Sequence, residues 1–204
     1  MRRGRECSAG LEISVPRKPR ENVDGGVYHA YARGNDRAVV YRDDVDRQIY
    51  LRMLARVAIA KRWRCLAYSL MPNHVHLLIE TPEGNLGRGM QRLHGGYAQT
   101  FNARHGRSGH VFQGRYGAVR MMSDEQLCAT AGYIARNPVE ATLCESPEEW
   151  QWSSYRAATT GPAPAWLDVE RLLTYFSTDS DKACRRYAEF ASGSTTGRLD
   201  LKGV

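Results

Sequence analysis

Lysine is scarce in this chain: four residues out of 204, against 25 arginines. No apolar run approaches the roughly 20 residues that a membrane-spanning helix needs, which argues against a membrane protein. The opening stretch "MRRGRECSAGLEISV" is basic but has no apolar core of the kind a secretory signal carries. Five cysteines (Cys7, Cys65, Cys128, Cys144, Cys184) are odd in number, scattered, and never form a Cys-x-x-Cys pair. That pattern argues against a disulfide frame or a zinc knuckle, and predicts reduced thiols in a cytoplasm. A phosphate-cradling Gly-x4-Gly-Lys-Ser/Thr loop is also missing, so chemistry driven by ATP is not expected.

What is present is ordinary in bulk: 42% hydrophobic and 25% charged residues, with length for one domain and appendages. The net charge of +7 is carried almost wholly by arginine. Its planar fork matches phosphate oxygens, so a polyanionic partner is favoured. A GC-rich genome gives the same bias, and charge alone only leans toward nucleic acid.

Residues 1–20 hold six Lys/Arg, two acids and the breakers Pro16 and Pro19, and read as a basic flexible arm. "GGVYHAYARGND" alternates and ends in a turn signal, predicting a strand over about Val27 to Arg33. "RDDVDRQIYLRMLARVAIAKR" follows, with Asp43 or Asp44 as cap and Ile49, Tyr50, Met53, Leu54, Val57 and Ala58 on one helical stripe. "WRCLAYSLM" and "HVHLLIE" flank a Pro72-Asn73 turn and predict a hairpin. Leu86, Met90, Leu93, Tyr97 and Phe101 predict a second helix, with a kink or close backbone contact at Gly95-Gly96. "GRYGAVRMM" reads as a fourth strand, and "SDEQLCATAGYIARNP" as a helix with a Ser123/Gln126 capping box, stopped by Pro138.

Strand-helix-strand, twice over, predicts an α+β chain of ferredoxin-like (split βαβ) type. Four antiparallel strands carry two helices on one face, and the other face is left open. A further helix follows, then a small C-terminal helical extension. The expected divisions are the arm, a domain over 21–158, and an extension with a Gly/Ser/Thr-rich tail over 159–204.

His74 and His76 share one side of their strand, with Val75, Leu77 and Ile79 on the other. The apolar set belongs against the helices. The imidazoles then stand on the open face about 7 Å apart along the strand, close enough to share one metal ion. On the last helix, Leu127, Ala131 and Ile134 form an apolar stripe, while Tyr133 and Asn137 lie one turn apart on a polar face with Gln126 and Thr130. An amide oxygen can ligate metal and a tyrosine can be a nucleophile. Spacing alone leaves the plainer reading open: two surface histidines, a helix-end asparagine before proline, and a tyrosine at the core margin.

Taken together, "YHAYARGND", "MPNHVHLLIE", "YIARNPVEA" and "WQWSSYRA" in that order resemble the single-tyrosine HUH transposases, and within them the REP-associated tyrosine transposases. The resemblance runs from about Arg17 to Ala157. Residues 1 to 14 read as an extension or a mis-chosen start, and "YARGND" runs into "RAVVYRDD" without a diagnostic match. The resemblance implies a ferredoxin-like fold, His74, His76 and Asn137 as ligands of Mg²⁺ or Mn²⁺, and Tyr133 as nucleophile. It further implies cleavage and strand transfer on single-stranded REP-type (BIME-like) hairpins through a 5′-phosphotyrosine link. The enzyme would be cytoplasmic and nucleoid-associated, without membrane, as a monomer or homodimer.

His29 and Tyr31 on the first strand are expected on the metal face, to stack or position DNA. Arg33, Arg37, Arg115 and Arg120, with Arg104 and Arg107, are expected phosphate contacts. His94, His105 and His110 have no partner spacing and take no role. Two other readings compete: a non-catalytic nucleic-acid module stacking bases on the open sheet, and a metal-dependent phosphodiesterase using water.

Overall fold

The computed structural model describes residues 23–193. The expected basic arm and most of the Gly/Ser/Thr-rich tail lie outside the described residues. Four strands, β1 (Gly26–Arg33), β2 (Arg64–Met71), β3 (His74–Thr81) and β4 (Gly117–Arg120), form one antiparallel sheet in the order β2-β3-β1-β4. With α1 (Asp44–Ala60) after β1 and α2 (Leu86–Arg104) after β3, this is the ferredoxin-like arrangement.

One face follows from simple alternation. Tyr28, Ala30 and Ala32 of β1 and Val75, Leu77 and Ile79 of β3 pack against α1 and α2 in one cluster. Asp43 caps α1 by accepting from the Asp46 amide at 3.0 Å. Its stripe buries Tyr50, Leu54, Val57 and Ala58, and α2 buries all five residues its spacing selects. Each such side chain removed from water stabilises by about 1.5–3 kcal/mol. Helix α2 runs unbroken through Gly95-Gly96, where an added Cβ would meet only Met53 at 3.9 Å. The close contact expected there falls instead at Gly89, against the indole of Trp63. Trp63 is held in that position by its Nε1–H, which donates to Asn85 Oδ1 at 2.6 Å.

The second face is not open. Helix α3 (Asp124–Glu140) crosses it over β2 and β3, backed by α6 (Ser180–Ser192). Leu66, Ala67 and Leu78 of the sheet meet Leu127, Ala131 and Ile134 there, with Tyr187 and Ala191 behind. A bulge in β2 between Cys65 and Ala67 turns both Leu66 and Ala67 to this side. The reason for closure is apolar area: Leu66, Leu78 and the α3 stripe would otherwise face water. Gly132 lets the two helices touch, since a Cβ there would overlap the Phe190 backbone at 2.7 Å.

Ser123 caps α3 from the Gln126 amide at 3.2 Å, while the Gln126 side chain reaches back to Met122 N–H at 2.8 Å. Pro138 does not stop the helix, which continues to Glu140. It removes one amide donor near the end, and Ala141 and Leu143 still bond back to the carbonyls of Asn137 and Pro138. The "WQWSSYRA" segment covers the outer edge of β2, with Leu70 N–H on Trp152 O and Ser154 N–H on Tyr68 O. The extension forms α4 (Tyr155–Thr159), α5 (Val169–Thr174) and α6. Among the described residues, no helix is long and apolar enough to cross a membrane.

Candidate active site

β3 starts at His74, directly after the Pro72-Asn73 turn, so its first two outward positions are the imidazoles. Register then sets Tyr31 opposite His76 and Arg33 opposite His74, on the same side of the sheet. Helix α3 lays Tyr133 and Asn137 over them. Ring centroids lie 5.0 Å apart for His74 and His76, and 5.4 Å for His76 and Tyr133.

The protons can be placed by elimination. Asn73 Nδ2 donates to Arg37 O at 3.2 Å, which turns Asn73 Oδ1 to His74 Nδ1 at 2.7 Å. An amide oxygen only accepts, so His74 Nδ1 carries the hydrogen and Nε2 is a bare lone pair. That nitrogen lies 3.1 Å from Asn137 Oδ1, a second acceptor. His76 is fully buried; its Nδ1 lies 2.9 Å from His29 Nε2, and its Nε2 has no partner. Burial holds all three imidazoles neutral: the His74 and His76 values fall below the usual 6.5, and that of His29 falls to about 4. Arg33 lowers His74 further by its charge.

Tyr133 is half-buried, and desolvation raises its phenol above the usual 10. Glu140 adds to the rise, while a hydrogen bond with the Asn137 side chain opposes it. The phenol is therefore protonated at neutral pH. Asn137 is itself only 8% exposed. The polar side of α3 faces inward onto the histidines rather than projecting into solvent.

Three of the expected DNA contacts line one cavity. Tyr31, Arg33 and Arg115, with Gln113, Gly114 and Gly117, surround about 190 Å³ beside the histidines. Gly117 is fitted to the Tyr31 ring, which would overlap any Cβ there. Larger hollows of about 410 and 680 Å³ elsewhere contain none of these residues. Arg37 is exposed on the turn whose carbonyl orients Asn73.

Other expectations are corrected. His29 is fully buried, so it offers no surface for stacking a base. Arg120 pairs opposite Tyr28, and so points to the α1/α2 face, away from the imidazoles. Arg104 is engaged with Asp43 and Asp46 at 2.7 Å, tying α2 to α1. Asn73 was visible only as a turn residue; a Pro-Asn-His order, with the amide one residue before His74, was the available signal. Among the described residues, no group of three or more His, Cys, Asp or Glu side chains is placed to hold a metal ion.

Comparison with known proteins agrees with the fold. A solved structure of a REP-associated tyrosine transposase bound to a REP hairpin superposes with a TM-score of 0.60 at 18% identity, covering 74% of this chain and 89% of that one. A proposed transposase from Deinococcus radiodurans R1 is 22% identical, with a TM-score of 0.42 over 58% of this chain and 95% of its own. No curated relative matches the chain. The sequence profile described as "Transposase IS200 like" matches residues 22–137, from the start of β1 through His74, His76 and Tyr133 to Asn137. With the ferredoxin-like sheet and the paired imidazoles inside that match, the chain belongs to the IS200-like transposase family.

Proposed function

We propose that this protein is a single-tyrosine HUH enzyme of the REP-associated kind, a metal-dependent nuclease and strand transferase for single-stranded DNA hairpins. The observation that carries the reading is the pair of acceptors, His74 Nε2 and Asn137 Oδ1, held 3.1 Å apart next to Tyr133. Two lone pairs at that distance repel unless a proton or a cation lies between them. Burial keeps His74 neutral, and Asn73 occupies its only hydrogen. A cation therefore fits, and the orphaned, buried Nε2 of His76 on the neighbouring ring is a third donor for it. The amide oxygen suits Mg²⁺ or Mn²⁺ and the imidazoles suit transition-metal ions; the choice of Mg²⁺ or Mn²⁺ follows the family resemblance.

His74, His76 and Asn137 would hold the ion, which when bound supplies Lewis-acid polarisation of a phosphodiester. Tyr133 Oη attacks phosphorus; the Oη–P bond forms, the bond to the 3′ oxygen breaks, and that oxygen leaves with a proton. The phenol loses its own proton in the same exchange. The resulting 5′-phosphotyrosine keeps the phosphodiester energy, so a free 3′-hydroxyl can reverse the step on another strand. Asn137 helps by its hydrogen bond to Tyr133, which offsets part of the desolvation. Tyr31, Arg33 and Arg115 around their cavity would position the unpaired flank of the hairpin.

The test is incubation with end-labelled single-stranded imperfect hairpins from the flanks of the gene. Nicking is expected with Mg²⁺ or Mn²⁺ and not in chelator, with hairpin binding that weakens as salt rises. Equal affinity for blunt duplex, or nicking in chelator, would contradict the reading.

A further inference from the structure

His29 is an imidazole in a place where a leucine would pack. It stands on the central strand β1, opposite Leu78, completely shielded from water, with Nδ1 unpartnered. Its ring stacks on His76 with centroids 5.1 Å apart and 28° between planes, and meets Tyr133 edge-on with centroids 6.1 Å apart. It cannot reach DNA, and it adds to the orphaned polar atoms of the interior. Something must favour keeping it.

The 2.9 Å contact between His29 Nε2 and His76 Nδ1 holds one proton between two neutral rings. If His29 donates, His76 must carry its hydrogen on Nε2, which then cannot ligate anything. If His76 donates from Nδ1, its Nε2 is a bare lone pair and His29 becomes the acceptor. Only the second arrangement is compatible with the metal-binding reading proposed above, on which this inference rests. His74 has the same construction, its Nδ1–H being taken by Asn73. Ligating histidines in general donate their other N–H to an acceptor that fixes tautomer and orientation.

We propose that His29 is a positioning residue: it accepts the Nδ1–H of His76 and so commits His76 Nε2 to the metal. The two ligands thus have different supports. The support of His74 is an amide on a turn, whereas that of His76 is a second imidazole locked inside the sheet.

The test uses the whole protein without DNA. Mn²⁺ dissociation constants are measured by electron paramagnetic resonance for wild type, His29→Leu, which has no acceptor, and His29→Gln, which restores one. Losing the acceptor is expected to weaken Mn²⁺ by about 10–100-fold, with most of that regained in His29→Gln, while hairpin binding in chelator stays unchanged. If His29→Leu does not fold, histidine ¹⁵N spectra of Mg²⁺-saturated wild type decide: His76 must be protonated at Nδ1 and His29 bare at Nε2. Wild-type Mn²⁺ affinity in folded His29→Leu, or a hydrogen on His76 Nε2, overturns the proposal and leaves the nuclease reading standing. A wild-type protein that binds no Mn²⁺ overturns both.

Discussion

Val75, Leu77 and Ile79 leave β3 on one side of the sheet; His74, His76 and Leu78 leave it on the other, and both sets lie under helices. The first side is mainly apolar packing. The second is equally shielded at His29 and His76, yet places unpartnered nitrogens there. Desolvation depresses three imidazoles that meet one another on the second side and a single one, His94, on the first. The comparison separates residues that hold the fold from residues that the fold holds.

The largest expected effects should divide between these sides. His76→Ala is expected to lower nicking by about 10³-fold or more, because loss of a ligand removes several kcal/mol of transition-state stabilisation. Its melting temperature should fall less than that of a core truncation, since an orphaned nitrogen goes with it while His29 Nε2 loses its partner. Leu77→Ala, one residue along on the other side, should cost about 2–5 kcal/mol of stability while each folded molecule still nicks. Urea titration beside a nicking assay checks both. A collapse of stability in the first, or of chemistry in the second, would erase the distinction.

A smaller effect is expected with pH. His29 goes from the usual 6.5 unfolded to about 4 folded, so the unfolded chain takes up its proton first as the pH drops. Stability is complete above 6.5 and is lost as the pH falls toward 4, by about 3 kcal/mol for this residue alone. His94 on α2, hydrogen-bonded to Tyr50 of α1, is depressed to about 3 and adds to the loss from the other side. Urea midpoints at pH 7 and 4.5 should differ less in His29→Leu than in wild type. Equal differences would mean that His29 does not carry this acid sensitivity.

The smallest effects concern glycines. Gly89→Ala should destabilise by about 1–3 kcal/mol, because its Cβ overlaps the Trp63 ring. Gly95→Ala, where a Cβ meets open space, should be neutral or gain up to about 1 kcal/mol. Thermal melts of the two variants test whether the close contact sits at the first glycine and not at the pair.

What could be read in advance was whatever depends on near neighbours. Alternation divided β1 and β3 correctly between faces, helical spacing chose Leu86 through Phe101, and Asp43 and Ser123 announced their helices. His74 and His76 with Tyr133 and Asn137 were separable from their apolar neighbours by period alone. What could not be read depends on partners distant in the chain. Closure of the second face requires α6, about a hundred residues beyond β3, to back α3. Without it, Arg120 and His29 seemed free to face DNA, when register sent one away and burial enclosed the other. Trp63 on Gly89 is a contact of this distant kind too. The Asn73–His74 support was local, but it appears only once the hydrogens are counted.

The central claim is that the second face exists to present a metal-polarised phosphodiester to Tyr133, and one measurement tests it most directly. Wild type and Tyr133→Phe are incubated with Mn²⁺ and a hairpin labelled on its 3′-side fragment, then separated under denaturing conditions. Wild type should yield nicked DNA and a slow, denaturant-resistant band carrying that label. Tyr133→Phe keeps the ring beside His76, should still bind Mn²⁺ and hairpin, and should give neither product. Nicking by the phenylalanine variant would contradict the account, because water or another tyrosine would then be the nucleophile.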